Sequence, residues 1–236
     1  MYHELEEYTS HFNLNDSGIK LKYEHSLRVA DISKQIASNL GWDLEDVKLA
    51  TKIGLLHDIG RMQEWKIFKS YAANDFDHGD LGVEILKKDN YYKKFEIDEK
   101  DKQTIFDAVY HHNKYDVPEE VDNKFIKLIR DADKVDIFHI YACTDYQAGL
   151  GGDDIHPKVK EEFEKGELIN GVKNIKTFGD HILRTLAFIY DVNYDYSLKI
   201  IKDEKYIDKF YQNLENKELY KPYFDKINKL IEERLK

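Results

Sequence analysis

Apolar and polar positions along this chain recur with a helical period. Between Tyr23 and Leu40, His25, Val29, Ile32 and Ile36 return every three or four residues and mark one face of a helix. After the Gly41-Trp42 break, Asp43 is placed to cap a second helix, with Asp46 in its first turn. Val47, Ala50, Gly54 and His57 share one face of that helix, and Gly60 reads as its stop. The polar stretch from Arg61 to Asp77 reads as a loop holding at most a short helix. Helical spacing resumes near His78, with Leu81, Ile85 and Leu86, and again from about Asp98, with Ile105, Val109 and His112 aligned. Val117-Pro118 opens a loop, and a long apolar helix is predicted from about Asn123 to Tyr146. The segment AGLGGDDIHPK is the clearest interruption; from Val159 to Lys236 the pattern is helical again, rich in Lys, Glu and Tyr. The pattern predicts an all-α protein. A helical domain would occupy residues 1–150, and a helical C-terminal extension, 151–236, would pack on it.

Composition sharpens this picture. Twelve glycines and three prolines in 236 residues favour long helices over a turn-rich β architecture. No apolar run approaches the ~20 residues needed to span a bilayer. The acidic start, MYHELEEYTS, lacks the basic-then-apolar plan of a signal peptide. Cys143 is the single cysteine and cannot form an internal disulfide, so a reducing cytoplasm is expected. A formal net charge of −10 opposes a general surface for duplex nucleic acid. It leaves room for a small phosphorylated substrate, because a bound metal reverses the local potential.

Seven side chains stand out on faces that otherwise read as core: His25, His57, Asp58, His78, His111, His112 and Asp133. Asp133 continues the face of Ile126, Ile129, Ile137 and Ile140, where an unpaired carboxylate would cost several kcal/mol to desolvate. A basic partner, a shifted pKa or a metal would each relieve that cost. Each residue alone has a plainer reading: a hydrogen-bonded histidine, Asp133 paired with Arg130 or Lys134, or His111-His112 as a charged helix C-terminus. Several helices delivering one imidazole or carboxylate each to a common centre would account for all of them together. Such donors suit divalent Fe, Mn, Co, Ni or Zn.

The order YEHSLRVA with His25, LLHDIGR with His57 and Asp58, then RDADKVD with Asp133 resembles the HD superfamily of metal-dependent phosphohydrolases. The resemblance runs from about Tyr23 to Tyr146. It implies that His25, His57, Asp58 and Asp133 bind one metal; Asp131 competes for the last role, and Asp133 is preferred because it sits between Ala132 and Lys134. HGDLGVEIL, from His78, and HHNKYD, from His111, resemble segments of the branch that hydrolyses cyclic dinucleotides and of related binuclear enzymes. By that likeness His78 and His111 hold a second metal, Asp58 bridges the two, and His112 is a ligand or a substrate contact. HHNKYD lacks that branch's following glutamate and glycine-tyrosine-proline. Gly60-Arg61 stands where the stringent-response hydrolases carry an acidic pair.

The function so implied is hydrolysis of a phosphoester or phosphoanhydride in a nucleotide or small phosphorylated metabolite. One or two divalent ions (Mn, Fe, Co, Ni, Zn or Mg) would activate water. Asp58 would ligate and orient that nucleophile, Arg61 and Lys134 would hold phosphate oxygens, and Glu24 and Asp80 would orient imidazoles. A metal-containing nucleotide sensor without turnover and an iron-dependent oxygenase of the same fold are the rival readings. An oligomer is compatible with either.

Overall fold

The computed structural model describes residues 2–71, 76–121, 123–144, 150–170 and 172–236. Among them there is no strand, and the protein is all-α. The chain divides into two compact units, residues 1–133 and 134–236, with the division falling inside one helix.

The first unit begins with α1 (Tyr2–Ser10) and α2 (Ser17–Asn39). Then come α3 (Leu44–Leu56), α4 (Ile59–Phe68) and α5 (His78–Lys87). A 3-10 stretch, Lys88–Phe95, leads to α6 (Lys102–His111), and α7 (Lys124–Cys143) follows. Its centre is α3, whose last turns, Ile53 to Leu56, are wholly buried. Each large apolar side chain taken from water there contributes about 1.5–3 kcal/mol. The closest packing is of α2 on α3, and it is made through small residues. A Cβ on Gly54 would stand 2.8 Å from Ala30 Cα and 2.8 Å from the Val29 carbonyl, so only glycine lets the two backbones meet. Asp43 caps α3 as its sequence predicts, accepting from the amide of Asp46 at 2.9 Å. Asp16 caps α2 and also accepts from Trp65 Nε1 at 2.6 Å and Lys69 Nζ at 2.6 Å, which ties the start of α2 to α4.

The second unit holds the remainder of α7, then α8 (Pro157–Lys165), α9 (Phe178–Ala187), α10 (Asp195–Asp203), α11 (Tyr206–Gln212) and α12 (Lys217–Arg234). Its core is aromatic. Phe163 packs on Tyr190 and Tyr223, and Phe210 on Tyr141 and Phe224. The richness in tyrosine is therefore partly interior: Tyr220 is fully buried, its hydroxyl donating to Asp153 at 2.6 Å. Thr177 and Asp180 form a capping box at the start of α9.

The observed elements depart from the pattern at identifiable places. Gly60 does not stop a helix; it lies in the first turn of α4, and the expected loop from Arg61 onward is helical to Phe68. The reason is proximity, since a Cβ on Gly60 would stand 2.3 Å from the His78 carbonyl, so this glycine serves the packing of α4 on α5. Helix α2 starts at Ser17, ahead of Tyr23, because the Asp16 cap sets its beginning. Helix α6 starts at Lys102, later than Asp98. Tyr146, the expected end of α7, lies outside the described residues.

Candidate metal centre

Five pieces of backbone deliver the site. His25 projects from α2; His57 and Asp58 occupy the break between α3 and α4, as C-cap of one and N-cap of the next. His78 is the first residue of α5, His112 is the C-cap of α6, and Asp133 comes from α7. Residues spread over more than a hundred positions thus meet in one buried cluster. His25 and His57 are fully buried, and Asp58, His78 and His112 nearly so.

Asp58 lies in the middle, and its two oxygens face different partners. Oδ2 is 3.4 Å from His25 Nε2 and 3.6 Å from His57 Nε2, while Asp133 Oδ1 is 3.1 Å and 3.7 Å from the same two nitrogens. Oδ1 is 3.4 Å from His78 Nε2 and 3.4 Å from His112 Nε2. Within each pair of imidazoles the nitrogens approach closely: His25 to His57 at 3.2 Å, His78 to His112 at 3.0 Å.

The far sides of two rings fix what those close nitrogens carry. His57 Nδ1 is 2.7 Å from the Gly54 carbonyl, and His112 Nδ1 is 2.7 Å from the Val109 carbonyl. A carbonyl only accepts, so in the neutral ring Nδ1 holds the proton and Nε2 turns a lone pair into the cluster. Backbone carbonyls three residues back thus orient both imidazoles, the role that outer partners play around metal ligands. The lone pairs of His57 and His112, crowded with carboxylate oxygens at such separations, suit a shared cation. Donors about 2.1 Å from one ion stand roughly 3.0–3.4 Å apart; these separations fall within that spacing except those of His57 to Asp58 and Asp133, which are longer at 3.6 and 3.7 Å. Two groups meet the requirement: His25, His57 and Asp58, which Asp133 extends, and Asp58, His78 and His112.

Charge is arranged to keep the donors ready. Burial pushes the Asp58 carboxyl up, but the Lys22 ammonium and the neighbouring imidazoles outweigh it and hold the group well below the usual carboxylate range. Burial likewise opposes ionisation of Asp133, and its contacts with His25 and His57 override it. Burial lowers the pKa of both His78 and His112, which favours the neutral imidazole that ligates. Lys22 Nζ sits 2.7 Å from Asp58 Oδ2. Arg61 Nε is 3.8 Å from Asp58 Oδ1, and its guanidinium donates to Glu64 at 2.8 Å and to the Tyr71 carbonyl at 3.3 Å. Glu64 is buried with one oxygen unpartnered, and burial raises its pKa.

Of the side chains singled out in the sequence, the structure brings together His25, His57, Asp58, His78, His112 and Asp133, with Arg61 beside them. His111 does not join. It is the last residue of α6 and packs its ring on Tyr110, while the next residue, about 100° further round, faces Asp58. Asp131, two positions before Asp133 and so about 200° round α7 from it, is fully buried. The Lys134 ammonium is held by Asp191 at 2.6 Å. Glu24 is exposed and lies 3.8 Å from Lys20; Asp80 pairs with Lys114 at 2.5 Å. The group beside His78 Nδ1 is instead Asn113, whose amide is 3.3 Å away and donates to Asp77.

Sequence reasoning missed Lys22, Glu64 and Asn113, and it read Arg130 only as a partner for Asp133. Lys22 had a readable signal, one turn before His25 on the same face. Arg130 had a subtler one, one turn before Asp133. It donates to the carbonyls of His111, His112 and Lys114, at 3.2, 3.5 and 2.6 Å, and so closes the end of α6 that carries His112.

The family model of the HD domain matches residues 23–137. Among curated proteins the chain is similar to ribonuclease Y of Mycoplasmoides gallisepticum, 33% identical over 140 residues, covering 55% of this chain and 21% of the relative. Ribonuclease Y of Staphylococcus epidermidis is 40% identical over 67 residues, covering 28% of this chain and 11% of the relative. That of Wolinella succinogenes is 32% identical over 101 residues, covering 42% and 15%. The chain thus spans about a fifth or less of the length of these relatives. No solved structure matches it significantly.

Proposed function

Residues 23–137 belong to the HD-domain family, whose members depend on metal, and from that premise we propose that this chain is a metal-dependent hydrolase of phosphoester bonds. The observation that carries the proposal is the divided carboxylate of Asp58, with one oxygen turned to His25 and His57 and the other to His78 and His112. Divalent cations bound there would lower the pKa of water towards ~7 and neutralise phosphate oxygens. The residues of the chain do the rest. His57 and His112 are held in register by carbonyls of their own helices. Asp58 and Asp133 stay ionised. Arg61, braced by Glu64, adds fixed positive charge at the edge of the cluster.

For substrate we propose a ribonucleotide phosphodiester, in a short single strand or a cyclic nucleotide. Similarity to ribonucleases Y favours ribonucleotide chemistry and widens the substrate class beyond the small metabolites first expected. The net charge of −10 favours a short substrate over an extended polyanion.

The test measures bound metal together with hydrolysis of a panel: oligoribonucleotides, cyclic nucleotides, nucleoside triphosphates and simple phosphoesters. Asp58→Ala is the comparison. Expected are bound transition metal in wild type, phosphoester hydrolysis, and loss of both in the variant by a factor of at least ~10³ in rate. A folded wild type that holds no metal after reconstitution overturns the proposal. Metal with oxygen consumption in place of hydrolysis assigns the site to an oxygenase, and metal with neither assigns it to a sensor.

A further inference from the structure

We propose that Lys22 is a substrate-binding residue of this centre, the one that grips a phosphoryl oxygen of the bond being cleaved. The inference rests on the hydrolase reading and adds a residue that the sequence patterns did not single out.

Two cations stand at the cluster, and they are provided for differently. Arg61 has its own counter-ion, Glu64, at 2.8 Å, and a second anchor in the Tyr71 carbonyl. Among the described residues, Lys22 has no carboxylate but Asp58, at 2.7 Å. That carboxylate is the shared ligand of both histidine groups. With divalent cations held there, the ammonium would lose the one carboxylate it meets among the described residues and would stand beside like charge. A cation in that position needs a new anion, and the anion that comes to this centre is the substrate phosphate.

Placement supports the role. The Lys22 side chain is 16% exposed, whereas His25 and His57 are at 0% and Asp58 at 3%. Lys22 therefore lies on the solvent side of the bridging carboxylate, where a substrate enters. Its path is built. The Tyr71 ring carries Lys22 and Arg61 at 5.4 Å each from its centroid. The Tyr71 hydroxyl donates to the Gly18 carbonyl at 2.7 Å, one turn before Lys22 on α2. Trp65 backs the Tyr71 ring at 4.7 Å. Cation–π contact steadies an ammonium without neutralising it. Lysine also suits a group that must change partners, being a compact charge on a flexible stem. The alternative is a lysine that only offsets the Asp58 charge; such a residue would be indifferent to phosphate.

The experiment uses the full chain reconstituted with Mn²⁺, as wild type, Lys22→Met and Lys22→Arg. Three quantities are read: metal content, binding of inorganic phosphate by calorimetry, and kcat and KM on the phosphoester that wild type cleaves. Both variants should keep wild-type helicity and metal content. Lys22→Met should weaken phosphate affinity about ten- to hundredfold, the loss of a charged hydrogen bond, with kcat/KM falling at least as far. Lys22→Arg should recover part of each. Unchanged phosphate affinity in a metal-loaded Lys22→Met overturns the proposal. So does loss of metal or of helicity in both variants, which would make Lys22 a holder of Asp58, and so does a wild type that hydrolyses but binds no phosphate. A wild type without metal or turnover instead fails the hydrolase reading itself.

Discussion

Asp58 and His112 show how much rests on single side chains here. An imidazole one position out of phase is about 100° round its helix, and that separates His112, 3.4 Å from Asp58, from His111, which lies against Tyr110. His112→Gln should therefore lower bound metal by one ion per chain and reduce turnover at least ~100-fold. His111→Gln should leave metal content unchanged. Metal analysis of the two variants beside wild type checks this, and a reversed pattern would reinstate His111 as the ligand. The sequence pair His111-His112 could not be resolved by its residues alone, because α6 ends just there and either ring could have faced inward. Lys22 shares a helix face with His25, yet a lysine on a helix reads as solvated, and the carboxylate it meets, Asp58, belongs to another element.

At the level of elements, the centre depends on how closely α4 can approach α5. Gly60 meets the backbone of His78 with no room for a methyl. Gly60→Ala must push α4 and α5 apart, moving Asp58 and His78 relative to each other. The expected result is a loss of stability of about 1–3 kcal/mol, typical of overpacking, with loss of one bound ion. Urea unfolding and metal analysis test it, and a variant with wild-type stability and full metal content would refute it. Helical periodicity made α2, α3, α5, α6 and α7 legible, since each has one apolar face. It failed over α4, where Arg61, Gln63, Glu64 and Lys66 make the segment read as polar although Glu64 is buried, and a glycine in the first turn mimics a terminator. Such packing information is absent from any one segment; it belongs to the pair.

The molecule divides into two units, and among the described residues the cluster lies in the first. The all-α class could be read from the chain, because it is written in spacing, and the order of the candidate ligands came from a family resemblance. The second unit offered periodicity without chemistry, so its separate helices and tyrosine-filled interior emerged only in three dimensions. It also supplies an acid-sensitive group. Burial, aided by Arg184, lowers the pKa of His181 from 6.5 to about 4, so the folded state keeps the ring neutral while the unfolded chain takes up a proton. Above pH 6.5 neither state binds the proton and stability is full; between 6.5 and about 4 it falls. The loss approaches roughly 3 kcal/mol at about 1.4 kcal/mol per pH unit. Denaturant unfolding at several pH values should show this fall, and His181→Gln should remove that part of it. An equal pH dependence in the variant would contradict the assignment.

The divided carboxylate of Asp58 has an equilibrium consequence. Because one side chain serves both histidine pairs, cations held at the two would not be independent. Filling one would align the second oxygen for the other, while the like charge of the first ion would work against the second. Linkage makes this coupling reciprocal. A metal titration of the protein will therefore depart from two identical, non-interacting steps, and the sign of its cooperativity will report which influence of Asp58 prevails, alignment or repulsion.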